Sequence, residues 1–290
     1  MALVGDARTR ESELAKLLEQ LRVATPADIE TRAVPGREWA SASAPSSPTS
    51  IAALIDHTLL APSADEKQIE RTLLDAHTFG AATLCINSAW VDFAVRKARE
   101  KRLDVNVICT VGFPFGAGNT QAKALEAKVA MQQGAKEIDM VQNVGWLKSG
   151  DLVAVYEDIR AVCEAVQGTP VKVILETASL TKEETIDSAF IACLAGARFV
   201  KTSTGYGPGG ATEGSVRLLK HAVDYHASLA NSNSSAQSSV QVKASGGIRN
   251  LSTLKRMWEC GADRVGASST AAILSEAQGA SAEAVPKADY

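Results

Sequence analysis

In FVKTSTG, Phe199–Gly205, a lysine stands inside a short apolar run that ends at a glycine. A run rich in aromatic, β-branched and threonine residues predicts a buried strand. An ammonium buried without a partner costs several kcal/mol or gives up its proton. A neutral amine at the end of a strand is a nucleophile. VQVKASGG, Val240–Gly247, repeats the arrangement with Lys243. A single strand lysine can point outward and snorkel between helices. Two at matching positions on neighbouring strands make that reading weaker. A structural salt bridge to a nearby aspartate explains one lysine and leaves the other unpaired.

Around this pair the chain alternates apolar runs with amphipathic helical stretches. The runs are AALIDHT (52–58), ATLCIN (82–87), VNVICTVG (105–112), EIDMVQN (137–143), VKVILET (171–177), FVKTST (199–204), VQVKAS (240–245) and RVGAS (264–268). Helical spacing is clear in Lys123–Gln133, Leu152–Val166, Lys182–Leu194, Ser215–Ala227 and Leu251–Glu259. Continuous apolar strands between helices imply parallel pairing with both faces covered. Gly-Ala recurs at 80–81, 134–135, 196–197 and 261–262, each time just before a strand, at spacings of 54, 62 and 65 residues. Glycine there is the expected left-handed residue closing a helix. Eight βα units predict an α/β fold, a (β/α)8 TIM barrel over residues 51–275. A doubly wound open sheet is the alternative, but no GxGxxG turn follows the first strand.

Residues 1–50 read as an extension outside the core. It holds one amphipathic helix, Glu11–Arg22, and a Ser/Pro linker, SASAPSSPTS (41–50). LANSNSSAQSS (229–239) reads as a flexible surface insertion on the face opposite the site, and 276–290 as a mobile tail. A formal net charge of −3 argues against nucleic acid or an anionic membrane as partner. Five scattered cysteines without a CxxC pair predict reduced core thiols. With no long apolar run and no secretory signal, a cytoplasmic protein is expected. The four histidines show no metal-ligand spacing, so neither metal nor other cofactor is expected.

Catalytic groups of such barrels sit at strand C-terminal ends, and those ends supply Asp56, Cys85, Asp139, Glu176, Lys201 and Lys243. Lys201 and Lys243 disfavour each other's protonation, which suits Schiff-base chemistry, and Asp139 is placed to accept from Lys243 and relay a proton. Glycine-rich GYGPGGAT (205–212), SGGIR (245–249) and VGASS (265–269) follow strands six, seven and eight, where backbone amides and helix N-termini hold phosphate.

VKTSTGYGPGGAT, KASGGIR, EIDMVQNVG, IDHTLL and GASS together resemble deoxyribose-phosphate aldolases, class I aldolases of the (β/α)8 type. The resemblance spans about 51–274 plus the terminal tyrosine. It implies reversible, metal-free cleavage of 2-deoxy-D-ribose 5-phosphate to D-glyceraldehyde 3-phosphate and acetaldehyde. It further implies Lys201 as the Schiff-base lysine, Lys243 as the lysine lowering its pKa, Asp139 as acid/base partner and Tyr290 in proton abstraction. Asp56, Cys85 and Thr202 are expected near the sugar. Gly205, Gly246, Gly247, Gly266, Ser268 and Ser269 are expected at the phosphate. Some members carry a basic residue after Gly205 where this chain has Tyr206, which shifts weight to backbone amides and Arg249. The expected partners are a phosphorylated sugar and an aldehyde, with a homodimer or homotetramer as assembly. A transaldolase-like sugar-phosphate lyase and a non-catalytic sugar-phosphate-binding barrel remain the rival readings.

Overall fold

The computed structural model describes residues 3–230 and 240–279. Its strands are β1 (Ile55–Leu59), β2 (Thr83–Asn87), β3 (Val107–Val111), β4 (Ile138–Val141), β5 (Val171–Ile174), β6 (Phe199–Lys201), β7 (Gln241–Ser245) and β8 (Arg264–Ala267). They close in sequence order into a barrel, every pair parallel, with β8 returning to β1. The helices are α1 (Ala7–Ala24), α2 (Pro48–Ala52), α3 (Glu66–Phe79), α4 (Val91–Lys101), α5 (Thr120–Gln133), α6 (Val144–Lys148), α7 (Leu152–Ala165), α8 (Lys182–Leu194), α9 (Glu213–Ala230), α10 (Leu251–Glu259) and α11 (Thr270–Ala277). The fold is a (β/α)8 barrel.

The glycines of the four Gly-Ala pairs have left-handed backbone, with φ of 66°, 110°, 99° and 108° at Gly80, Gly134, Gly196 and Gly261. Each ends a helix just before an even-numbered strand. An L side chain is strained there, so the repeat marks where four helices turn back into the sheet.

The N-terminal segment departs from the expectation of an extension outside the core. Leu14, Leu18 and Leu21 of α1 are fully buried in the same apolar cluster as the barrel. Arg10 pairs with Glu157 of α7 at 2.6 Å, and Arg22 pairs with Asp187 of α8. Farther along, Arg37 stacks on Trp258 of α10, and Trp39 meets the same ring edge-on at 5.5 Å. The physical reason lies in α8, where every residue from Thr185 to Leu194 is buried. A helix apolar on all sides needs a second layer, and α1 supplies it. Each leucine so buried contributes about 2 kcal/mol.

The Ser/Pro stretch also differs. Ser47 and Ser50 form a reciprocal capping box, Pro48 takes the first helical position, and α2 follows. β1 therefore starts at Ile55 rather than at 52, which places Asp56 second in its strand. Glu276 is helical and accepts a hydrogen bond from Leu251 N at 2.9 Å, so α11 extends beyond the expected start of the tail. Residues 231–239 and 280–290, Tyr290 among them, lie outside the described residues.

Candidate active site

Strand register builds the centre. Lys201 of β6 is level with Lys243 of β7, and Asp139 of β4 with Lys172 of β5. All four side chains point into the barrel and are essentially inaccessible. Asp139 receives all three ammoniums: Oδ2 accepts from Lys201 at 2.9 Å and Lys243 at 2.7 Å, and Oδ1 accepts from Lys172 at 2.8 Å. Asp56 lies toward the N-terminal ends of the strands. Its Oδ2 is 2.5 Å from Lys243 Nζ, while Oδ1 accepts from Thr83 and Arg264. Glu137 pairs with Lys172 and stands 3.7 Å from Arg264.

Gly266 of β8 has a packing reason. A Cβ there would meet Lys243 Cε at 3.2 Å and Ser245 Cβ at 3.1 Å, so the glycine leaves room for the lysine stem.

Among the described residues this interior holds four cations, Lys172, Lys201, Lys243 and Arg264, against three carboxylates, Asp56, Asp139 and Glu137. Burial penalises every charge, so the surplus cation is the one that surrenders its proton. Lys172 has three carboxylates within 4 Å and Lys243 has two, but Lys201 has Asp139 alone. Burial, opposed by Asp139 and aided by Lys243, holds the Lys201 amine below the ordinary lysine range. For Lys243 burial acts the same way, but Asp139 and Asp56 outweigh it and raise the ammonium. Lys172 is raised likewise, with Asp139 and Asp56 overcoming burial. Burial would raise Asp139, yet Lys172, Lys201 and Lys243 hold it well below the carboxylate range. Burial, not the cationic neighbour, is thus the leading cause at Lys201.

Cys85 of β2 is buried beside this cluster, its thiol pushed up to about 11, first by burial and then by Asp139. With Leu60, Ile108 and Phe113 it forms a small apolar wall separate from the main core. Tyr206 spans the mouth. Its hydroxyl donates to Leu60 O at 3.0 Å, and its ring meets Phe113 edge-on at 5.4 Å.

The glycine loops meet on the β6–β8 side. Gly246 and Gly247 have φ of 88° and 79°. Gly210 packs so closely on Gly246 that a Cβ would lie 2.3 Å from its carbonyl oxygen. Ser268 is exposed, and Ser269 opens α11 without capping it by side chain. Gly205 and Arg249 are exposed on the same loops.

Two residues expected near the sugar, Thr202 and Asp56, have partners within the barrel. The Thr202 hydroxyl donates to Ser245 O and accepts from Ser245 N, both at 3.0 Å, stitching β6 to β7. Asp56 is inaccessible, and its oxygens meet Lys243, Thr83 and Arg264. Its early place in β1 follows from the helix that Ser47 and Pro48 start.

Lys172, Arg264 and Glu137 escaped the sequence reading. Lys172 carried the same signal as the other two, a lysine in an apolar run. Glu176 lies just past the end of β5. It has left-handed backbone (φ 57°) and accepts from Thr204 N at 3.3 Å and from the Thr204 hydroxyl. A Cβ on Gly207 would lie 2.6 Å from its carboxyl carbon, so Glu176 holds the loop after β6 in place. Among the described residues no group of three His, Cys, Asp or Glu side chains could hold a metal ion, and no helix is long and apolar enough to cross a membrane.

Residues 50–281 match the model of the DeoC/LacD family aldolases. The deoxyribose-phosphate aldolase of Coprothermobacter proteolyticus is 45% identical over 223 residues, covering 77% of this chain and 95% of the relative. That of Streptococcus pneumoniae (strain G54) is 46% identical over 220 residues, 76% of this chain and 93% of the relative. Among solved structures, one assigned as a deoxyribose-phosphate aldolase from Coccidioides immitis superposes with a TM-score of 0.81 at 36% identity. It covers 92% of this chain and 98% of that one, a share the 50–281 match alone cannot supply, so the likeness reaches into the N-terminal segment. A deoxyribose phosphate aldolase from Aeropyrum pernix, described as tetrameric, gives 0.69 at 28% identity over 80% of this chain and 92% of that one. The chain belongs to the DeoC/LacD family of aldolases.

Proposed function

We propose that this chain cleaves 2-deoxy-D-ribose 5-phosphate reversibly into D-glyceraldehyde 3-phosphate and acetaldehyde, with Lys201 forming the Schiff base. The observation that carries the reading is the excess of one cation in the barrel, resolved at the lysine with a single carboxylate partner. Lys201 adds to C1 of the open-chain sugar, and loss of water leaves an iminium. The C3 hydroxyl proton passes through water to Asp139. The C2–C3 bonding electrons flow into the iminium, and glyceraldehyde 3-phosphate departs. Protonation of the enamine and hydrolysis release acetaldehyde and restore the amine.

A carboxylate shared by three ammoniums is a weak base. The iminium at Lys201 keeps a positive charge beside it, so Asp139 relays the C3 proton through water rather than holding it. Lys243 remains charged and keeps that carboxylate oriented.

The apolar wall of Leu60, Cys85, Ile108 and Phe113 favours a donor without a hydroxyl beside the reacting carbonyl. Dihydroxyacetone would bury a hydroxyl against it with no partner. A donor screen separates acetaldehyde from dihydroxyacetone, and the wall predicts acetaldehyde. At the other end, the amides of Gly205, Gly246 and Gly247, the N-terminus of α11 with Ser268 and Ser269, and Arg249 would hold the phosphate. We assign Tyr290 to enamine protonation. Its test is Tyr290→Phe, expected to slow turnover more than imine formation. A homodimer or homotetramer is proposed, for light scattering to decide.

The direct test is reduction by borohydride in the presence of substrate. A covalent adduct mapped to Lys201 is expected, and an adduct on Lys172 or Lys243 instead would overturn the assignment.

A further inference from the structure

The seven charged groups of the barrel interior form one connected column from floor to mouth. Arg264 opens β8 and Glu137 immediately precedes β4, so both stand at the N-terminal ends of the strands, away from the glycine loops. Their side chains are 18% and 16% exposed, whereas Asp56, Asp139, Lys172, Lys201 and Lys243 lie between 0% and 4%. One line runs from Arg264 to Asp56 at 2.7 Å, to Lys243 at 2.5 Å, to Asp139 at 2.7 Å and to Lys201 at 2.9 Å. A second runs from Glu137 through Lys172 to Asp139 at 2.8 Å.

We propose that Arg264 and Glu137, at the floor of the barrel, set how readily the Lys201 amine gives up its proton, with opposite signs and without touching substrate. They are positioning residues that act through the column between them. The inference rests on Lys201 being the Schiff-base lysine. The groups acting directly on that amine are Asp139 from β4, Lys243 from β7 and the thiol of Cys85 from β2, while Asp56 from β1, Lys172 from β5 and Arg264 from β8 reach it through Asp139 and Lys243. Glu176, past β5, is turned to Thr204 and the glycine loop. Burial raises the Cys85 thiol, which is therefore neutral, so the balance lies with the ion-paired groups. With Lys201 neutral, three cations face three carboxylates. Removing Arg264 leaves a carboxylate in excess, and the proton on Lys201 then restores balance. Removing the charge of Glu137 leaves a cation in excess and drives that proton off.

Imine formation needs the neutral amine, so its rate falls as pH drops through the amine's titration. In Arg264→Gln the midpoint of that acid limb moves up, and in Glu137→Gln it moves down. Each shift is on the order of half to one pH unit, as expected for a unit charge in a poorly screened interior. The Arg264→Gln/Glu137→Gln double variant returns toward the parent, and Arg264→Lys stays near it.

The experiment follows the full-length chain with acetaldehyde and cyanoborohydride across pH, mapping the adduct by mass spectrometry. Opposite shifts at Lys201 in the two single variants support the proposal. Unmoved midpoints, or shifts in the same direction, overturn it. Absence of a Lys201 adduct in the parent chain is a separate result: it removes the Schiff-base reading itself and this inference with it. If Arg264→Gln does not fold, Glu137→Gln alone must move the midpoint down, and its failure to do so overturns the proposal.

Discussion

Among the described residues lysine is buried in two places, and the two behave differently. Lys123, between α5 and α7, spends its three donors on Asp158 Oδ2 at 2.6 Å, Gly116 O at 2.8 Å and Val141 O at 3.2 Å. One cation meets one carboxylate, and Thr120 satisfies the other oxygen of Asp158 at 2.8 Å. In the barrel, four cations meet three carboxylates, and Lys201 has the fewest partners. A balanced buried pair fixes structure, here tying the loop after β3 to the end of β4. An unbalanced set leaves one amine free to react. Burial alone therefore does not make a lysine a nucleophile; its share of the available negative charge does.

The largest effect that can break this contrast is at Lys201. Lys201→Leu removes the proposed nucleophile and relieves the excess cation at once. Turnover falls by at least about 10⁴-fold and borohydride trapping disappears, while the fold persists. Substantial residual turnover in a sample verified as the pure variant would contradict the assignment. Lys123→Met should do the reverse. It leaves Asp158 buried without its cation, and stability drops by about 3–5 kcal/mol, read from denaturant unfolding. The folded fraction should still form the Lys201 adduct. Replacing both partners, Lys123→Met with Asp158→Leu, should recover most of that loss, because an apolar pair of similar volume avoids the desolvation penalty.

Lys243→Met sharpens the comparison from inside the cluster. It leaves three cations against three carboxylates with Lys201 among them, so Lys201 keeps its proton to higher pH. At pH 7 the rate of imine formation is expected to fall by about 10²–10³-fold, and its acid limb to move up. Partial recovery of the rate as pH rises separates this electrostatic loss from collapse of the site. A rate equally low at every pH would mean that Lys243 matters through packing on Gly266 instead.

Much of this contrast is legible in the sequence, and the gaps have physical causes. Lys201 and Lys243 stand out because a charge inside an apolar strand has few innocent explanations. The Gly-Ala repeat is equally direct, since a left-handed helix end narrows the choice to glycine almost alone. Lys172 carries the same signal but sits second in β5, and attention to strand C-terminal ends passes over it. Arg264 and Glu137 flank their strands, where a charged residue looks like an ordinary solvated cap. Only barrel closure brings them beneath the cluster. The docking of α1 is half legible. Its leucine spacing shows which face is buried, but not against what. The partner was advertised in TIDSAFIACL of α8, too apolar all round to face water. ASAPSSPTSIAA reads as linker and strand, which puts Asp56 late in β1, whereas a serine capping box turns its end into helix.

The smallest expected effect lies at the phosphate end, where charge is exposed rather than buried. Arg249 follows Gly246 and Gly247 and is open to solvent. An exposed cation meeting a phosphate gains little in high dielectric and is screened by salt. Arg249→Ala should therefore raise KM for deoxyribose 5-phosphate about two- to five-fold at low ionic strength and leave kcat unchanged. The difference should shrink as salt is added, and unphosphorylated deoxyribose should not register the substitution at all. A salt-independent loss much larger than this would mean that the guanidinium is drawn into the site on binding. In that case the backbone amides and the α11 N-terminus would not hold the phosphate unaided. The comparison would then extend to a third cation, one neither balanced nor in surplus until the substrate arrives.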